Sequence, residues 1–104
     1  MTDEFDIQTL DEVIHGRLRL GIMAFLSTAE SADFNELKAR LQASDGNLSV
    51  HLRKLEEAGY VAIAKSFVDR KPLTRVTLTD KGREAFLTYL DAIEKLLPKA
   101  ERAG

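Results

Sequence analysis

No cysteine occurs anywhere in the chain, which excludes disulfides, thiol catalysis and cysteine-based zinc sites. No apolar run approaches the length of a membrane span, and the acidic N-terminus is unlike a signal peptide, so a cytoplasmic protein without membrane contact is expected. A Gly-rich phosphate loop, an H-E-x-x-H helix and a G-x-S-x-G elbow are all missing. The two histidines, His15 and His51, are far apart with no residue pattern that pairs them. Clustered metal ligands are lacking as well. An enzyme, a resident metal and a cofactor are therefore not expected.

What is present is the composition of an ordinary folded domain. The 104 residues, 44% of them apolar, suffice for one core and are too few for two. The net charge of −2 argues against indiscriminate polyanion binding, but it averages over a gradient. Residues 1–36 carry eight acids against Arg17 and Arg19, a balance of −6. Residues 51–83 carry eight cations against four acids, a balance of +4. Such polarity suits a module that turns one basic side to nucleic acid, although a charge cluster can equally be a solvated face.

The periodicities describe an α+β chain, mostly helical. Residues 1–8 are polar and expected to be frayed. Between Thr9 and Thr28, Leu10, Val13, Ile14, Leu18, Ile22, Phe25 and Leu26 recur mostly at three and four, as on an amphipathic helix. Gly16 and Gly21 inside it mark either a break near Gly16 or the close approach of another helix. A short extended piece is expected at Asp33 and Phe34, then a second helix over 36–42 with Leu37 and Leu41 inward. Its cap is Asn35, or alternatively Asp33 with Glu36. After a turn at Ala43 and Ser44, a third helix over 45–58 puts Leu48, Leu52 and Leu55 on one stripe. Ser44 is placed to cap it, Asp45 suits its dipole, and Gly59 follows its last turn. Two short helices joined so tightly make a helix-turn-helix candidate.

Tyr60–Ala64 and Arg75–Leu78 alternate as strands. The polar, proline-marked stretch between them reads as a loop, so 60–78 forms a two-stranded hairpin with cations at its tip. Thr79 caps a last helix over 80–99, in which Gly82 permits close packing on the sheet. Its stripe of Phe86, Leu90, Ile93 and Leu97 is widened by Tyr89 and Leu96. That stripe either packs only on Leu10, Val13 and Ile14, or joins them in a dimer interface resembling half of a cut core. The second is the expectation, because a lone unit would leave an apolar patch exposed.

Four segments carry a family resemblance: V-I-H-G-R-L-R-L-G-I-M at Val13–Met23, F-N-E-L-K at Phe34–Lys38, D-G-N-L-S-V-H-L-R-K-L-E-E-A-G-Y-V at Asp45–Val61 and L-T-D-K-G-R at Leu78–Arg83. The chain resembles the winged helix-turn-helix transcriptional regulators of the MarR/ArsR-like type, over about residues 10–97. That resemblance implies a homodimer on double-stranded DNA. The third helix of each subunit would lie in the major groove, and the wings on flanking backbone or minor groove. Carried over by position, the groove-facing residues are Asn47, Ser49, Val50 and Arg53, with Lys54 beside the phosphates and Arg70 and Lys71 on the wing. Relatives commonly have a cation where this chain has Val50, and a valine there suits a thymine methyl.

Each residue also has a plainer role. Arg53 can read guanine or only touch phosphate, and Asn47 can bond adenine or satisfy free backbone N–H groups. Ser49 can be a phosphate ligand or inert, and His51 is expected to be a half-buried, hydrogen-bonded structural residue. Lys65 and Arg75 flank the wing and add to its field. A small-molecule effector in the cleft beside the last helix is conceivable, but nothing in the sequence marks one. The alternative function is a winged-helix protein-interaction module without DNA binding, which the overall acidity favours slightly.

Overall fold

In the computed structural model, which describes residues 6–97, the first long helix (α1, Arg17–Ala29) starts at Arg17 rather than Thr9. The break falls at Gly16, whose backbone is extended (φ 179°). Ahead of it lie a single 3-10 turn at Ile7–Thr9 and a second turn in which Asp11 accepts a hydrogen bond from the Val13 amide at 2.8 Å. This turn drives Ile14 fully into the core. The helical spacing of Leu10, Val13 and Ile14 thus reflects inward packing of a turn, not helix. Residues 1–5 of the segment expected to fray lie outside the described residues.

A three-residue strand (β1, Ser31–Asp33) follows, slightly ahead of the extended piece expected at Asp33 and Phe34. The second helix (α2, Phe34–Leu41) begins two residues earlier than expected because Asp33, not Asn35, caps it, accepting from the Glu36 amide at 2.7 Å. Gln42 then takes a left-handed conformation (φ 53°), which ends α2 and turns the chain sharply into the next helix. Close approach of helices also occurs here. A Cβ on Gly21 of α1 would sit 3.0 Å from the Leu41 side chain.

The third helix (α3, Asp45–Glu57) is bounded as its sequence suggests. Ser44 caps it through the Asn47 amide, and beyond it Gly59 adopts φ +84°. The Tyr60 amide reaches back to the Leu55 carbonyl, so the orphan carbonyls of the last turn are satisfied by the reversal that glycine permits.

The hairpin departs most from expectation. Its strands are β2 (Val61–Val68) and β3 (Lys71–Leu78), paired in continuous register from Val61↔Leu78 to Val68↔Lys71. Residues 65–68 and 71–74, read as loop, are strand. The turn is only Asp69 and Arg70, both at positive φ (52° and 68°), as a two-residue type I′ turn requires. Such a turn makes Val68–Lys71 a hydrogen-bonded pair and the next, Phe67–Pro72, a non-hydrogen-bonded one. Pro72 therefore loses no ladder bond, and proline is tolerated. β1 pairs with the base of β3, making the sheet three-stranded in the order β1-β3-β2.

The last helix (α4, Asp80–Lys95) is capped by Thr79, whose hydroxyl accepts from the Gly82 amide at 2.9 Å. It ends short of Lys99, which lies outside the described residues. A Cβ on Gly82 would fall 2.1 Å from the Tyr60 carbonyl oxygen, so the close packing expected of this glycine is a steric requirement. The core gathers Ile14, Ile22, Met23 and Leu26 against Leu37, the α3 stripe of Leu48, Leu52 and Leu55, the sheet residues Val61, Val76 and Leu78, and Phe86 and Tyr89 of α4. α1 stands at its centre, touching α2, α3, α4 and the sheet.

Candidate nucleic-acid interface

With Leu48, Leu52 and Leu55 committed to the core, helical geometry turns the remaining residues of α3 outward. Asn47, Ser49, Val50, Arg53 and Lys54 are all exposed, Val50 with 54% of its surface. The first turn is exposed too. Its capping is done by Ser44, so the Asn47 side chain is not consumed as a cap and has no hydrogen-bond partner among the described residues. Arg53, Lys54, Lys65, Arg70 and Lys71 likewise make no ion pair or side-chain hydrogen bond among the described residues. Cations that no described residue neutralises are available to phosphate.

Arg70 lies in the hairpin turn and Lys71 opens β3, both exposed. Counting strand residues outward from the half-buried Ile63, they stand roughly 20 Å beyond the core. Between the wing and α3 runs a groove of about 650 Å³, lined by Ser49, Arg53 and Glu56 of α3 and by Ile63, Lys65 and Thr74 of the wing. Phe34, Leu52 and Asp45 complete it. Ser49 and Arg53 are thus brought together with Lys65, whereas Arg70 and Lys71 project past them. Asn47 is turned to a second hollow, of about 310 Å³, shared with Arg17, Arg40, Gln42 and Ser44. Arg17 and Arg40 were not singled out in the sequence. Their cations flank the start of α3 only because α1 and α2 pack side by side, and no local pattern signals that.

His51 is structural, as expected. Its Nδ1 accepts from the Arg19 guanidinium at 2.9 Å, so the ring is neutral in this contact. Burial, with the Arg19 and Lys54 cations beside it, holds its pKa below the usual histidine value. Arg19 also donates to the carbonyls of Val13 and Glu12, tying the segment before α1 to α3. The same segment is held by His15 on the Tyr89 hydroxyl (2.8 Å) and by Asp11, which accepts from the Tyr60 hydroxyl. Burial raises the Tyr89 pKa, and burial together with Asp11 pushes that of Tyr60 up to about 12. Among the described residues no group of three or more histidine and acidic side chains could hold a metal. No helix there is long and apolar enough to cross a membrane.

The residues expected at a dimer interface divide. Ile14 and Phe86 are buried in the protomer's own core and offer no surface to a partner. Leu10, Val13 and Ile93 are half-buried against that core. Leu90 and Leu97 are exposed, at 44% and 45%, and Leu87, which was not singled out, is more exposed still at 60%.

A family model for a winged helix DNA-binding domain matches residues 18–97. An uncharacterized protein of Methanocaldococcus jannaschii is 39% identical over 90 residues, spanning 86% of this chain and 98% of its own. Among solved structures, a transcriptional regulator homologue from Pyrococcus horikoshii superposes with a TM-score of 0.81 at 33% identity, covering 89% of this chain and 92% of the other. AbfR of Staphylococcus epidermidis is similar in a form bound to DNA, with a TM-score of 0.68, 26% identity and 78% of this chain covered. This chain spans only 56% of AbfR in that structure.

Proposed function

The chain belongs to the winged helix DNA-binding domain family, and from that premise we propose that it is a cytoplasmic, homodimeric transcriptional regulator that binds duplex DNA sequence-specifically. Each α3 enters a major groove of a pseudo-palindromic site, with half-sites about 34 Å apart. The wing lies on the flanking backbone or minor groove. Binding occludes a promoter. Families of this kind bind DNA and are not enzymes, in keeping with the missing catalytic constellations.

The observation that carries the reading is the outward face of α3, where Asn47, Ser49, Arg53 and Lys54 are exposed and their side chains unpaired among the described residues. Asn47 and Arg53 have the donors and acceptors to distinguish bases, and Val50 suits a thymine methyl. Lys54, Arg70 and Lys71 neutralise phosphates, with Ser49 as a neutral donor beside them. The DNA-bound form of AbfR supports the reading by likeness. The proposed dimerisation surface is Leu87 and Leu90 of α4 with Leu97 just beyond its end, apolar side chains that a monomer would leave in water.

Selection from a random duplex pool at low salt tests this. An enriched two-fold motif is expected, with affinity falling steeply as salt rises. Arg70→Ala should weaken all sequences alike, whereas Asn47→Ala or Arg53→Ala should change the preferred sequence. Recovery of no enriched motif would overturn the proposal.

A further inference from the structure

We propose that Phe67 is an apolar wedge with which the wing enters the minor groove and opens a base step beside the half-site read by α3. The inference rests on the DNA-binding reading above and adds a specificity element outside the helix. Phe67 is 75% exposed and its neighbour Val68 52%. Single exposed apolar residues need no explanation, but three features set this one apart.

The first is direction. Side chains alternate along a strand. Val61 and Ile63 point into the core and Lys65 lines the groove beside α3. Phe67 is the next residue on that face, about 6.8 Å farther out. The ring is therefore carried on the helix-facing side of the wing, past the point where the body of the protein ends.

The second is rigidity. Phe67 sits opposite Pro72 in continuous register, one pair from a two-residue turn. In a non-hydrogen-bonded pair the opposing side chains are closest, so the proline ring stands across the ladder from the phenyl ring. A wedge must not fold back on itself when pushed, and this one is held by paired backbone up to the turn.

The third is charge. Lys65 precedes the ring on its own face, Arg70 lies in the turn beyond it and Lys71 on the opposite face of the last strand pair, with Asp69 as the one acid of residues 61–78. An apolar tip set among cations matches a surface that is anionic at its rims and apolar between them. The minor groove is that surface, with phosphates along both edges and stacked bases within. Its width of about 6 Å admits a side chain from the hairpin rather than the two paired strands, so the ring is what enters. Apolar side chains inserted there partly unstack a step, and pyrimidine–purine steps yield most readily. The wing should therefore favour TA or CA at the step it meets, without hydrogen bonding to any base.

The test uses the full chain on duplexes carrying its selected half-sites, with each flanking step outward varied in turn among TA, CA, GG and AA, and with 2-aminopurine placed at that step. Wild type should prefer a TA or CA flank about tenfold at one position, with a rise in 2-aminopurine fluorescence on binding. Phe67→Ala should lose both while keeping its half-site preference, and Phe67→Trp should keep both. Since Phe67 contributes little to the core, unchanged melting temperatures should accompany these results. A flank preference and fluorescence rise that survive in Phe67→Ala would overturn the wedge alone and leave the DNA-binding reading standing. A Phe67→Ala variant with unchanged flank preference but altered mass in solution would also overturn it, making the tip a contact between copies. Failure of wild type to bind any duplex would remove the DNA-binding reading, and the wedge with it.

Discussion

Replacing Gly82 with alanine should destabilise the domain by about 1–3 kcal/mol, even though alanine is the better helix former. The arithmetic follows from one carbonyl. An alanine Cβ would stand 2.1 Å from the Tyr60 oxygen and 2.9 Å from its carbonyl carbon, both backbone atoms that cannot rotate away. Restoring an ordinary contact displaces the start of α4 by about 1 Å. That oxygen accepts from the Thr79 amide at 3.1 Å, a bond the displacement breaks, whereas the Thr79 hydroxyl has its nearer acceptor in the Gly59 carbonyl at 2.6 Å. The lost bond costs about 1 kcal/mol, and forcing a methyl into a packed junction adds about 1–3 kcal/mol. The gain in helix propensity returns only about 1 kcal/mol. At roughly 4–8 °C per kcal/mol for a domain of this size, the melting temperature should fall by about 4–24 °C. Gly46 supplies the control, since a Cβ there meets nothing within 4 Å. Gly46→Ala should raise stability by about 0.5–1 kcal/mol. Thermal melts by circular dichroism would measure both. Equal and small effects at the two positions would show that the α4–β2 junction is not sterically fixed.

Stability should depend on pH at both extremes. The pKa of His51 is depressed in the fold, so the unfolded chain takes up more protons as pH falls below about 6.5; the contribution is complete above that value and is lost on acidification. His51→Gln should flatten this acid limb of a denaturation series, and an unchanged limb would refute the assignment. Tyr60 has the opposite sign, since its pKa is raised from 10.0 to about 12, so its contribution is complete below pH 10 and lost as pH climbs toward 12. Tyr60→Phe should remove that alkaline loss. For the proposed dimer, Leu87→Asp with Leu90→Asp should give a monomer by light scattering with its fold intact by circular dichroism, because both side chains lie outside the core; a persisting dimer would move the interface off this face.

The sequence was most informative where one chemical device does one local job. Ser44, Gly59, Thr79 and Gly82 each end, start or admit a helix by a mechanism confined to a few neighbours, and each acts as its residue type suggests. It misled where the same pattern serves two geometries. Leu10, Val13 and Ile14 repeat as on a helix, yet Gly16 breaks the chain and Ile14 is buried by a turn. The full strands of the wing were hidden by its tip. Asp69-Arg70 lacks the glycine that usually announces a two-residue turn, and Pro72 looks like a strand breaker until its place in a non-hydrogen-bonded pair is known. At the candidate interface, Asn47, Ser49, Val50, Arg53 and Lys54 could be read from helical phase alone. Arg17, Arg40 and Phe67 could not, since their positions depend on helix packing and on strand register.

The acidic N-terminal third and the basic wing are reconciled by what the acids are attached to. Asp11 accepts from Tyr60 and Asp33 caps α2, so part of this negative charge is spent on holding the scaffold. Segment 11–15 is bonded to α4 through His15 and Tyr89, to the α3–β2 junction through Tyr60, and to α3 through Arg19 and His51. The Tyr60 carbonyl then joins that junction to the start of α4. The helix that would read DNA and the helix that would pair subunits are thereby linked from two sides by polar contacts. A two-fold regulator requires this, because half-site spacing is set by the angle between those helices. Overall acidity is compatible with DNA binding on these terms. Arg53, Lys54, Lys65, Arg70 and Lys71 are left unpaired among the described residues and set the field at the face a duplex would meet, and screening over about 8–10 Å confines the influence of more distant acids.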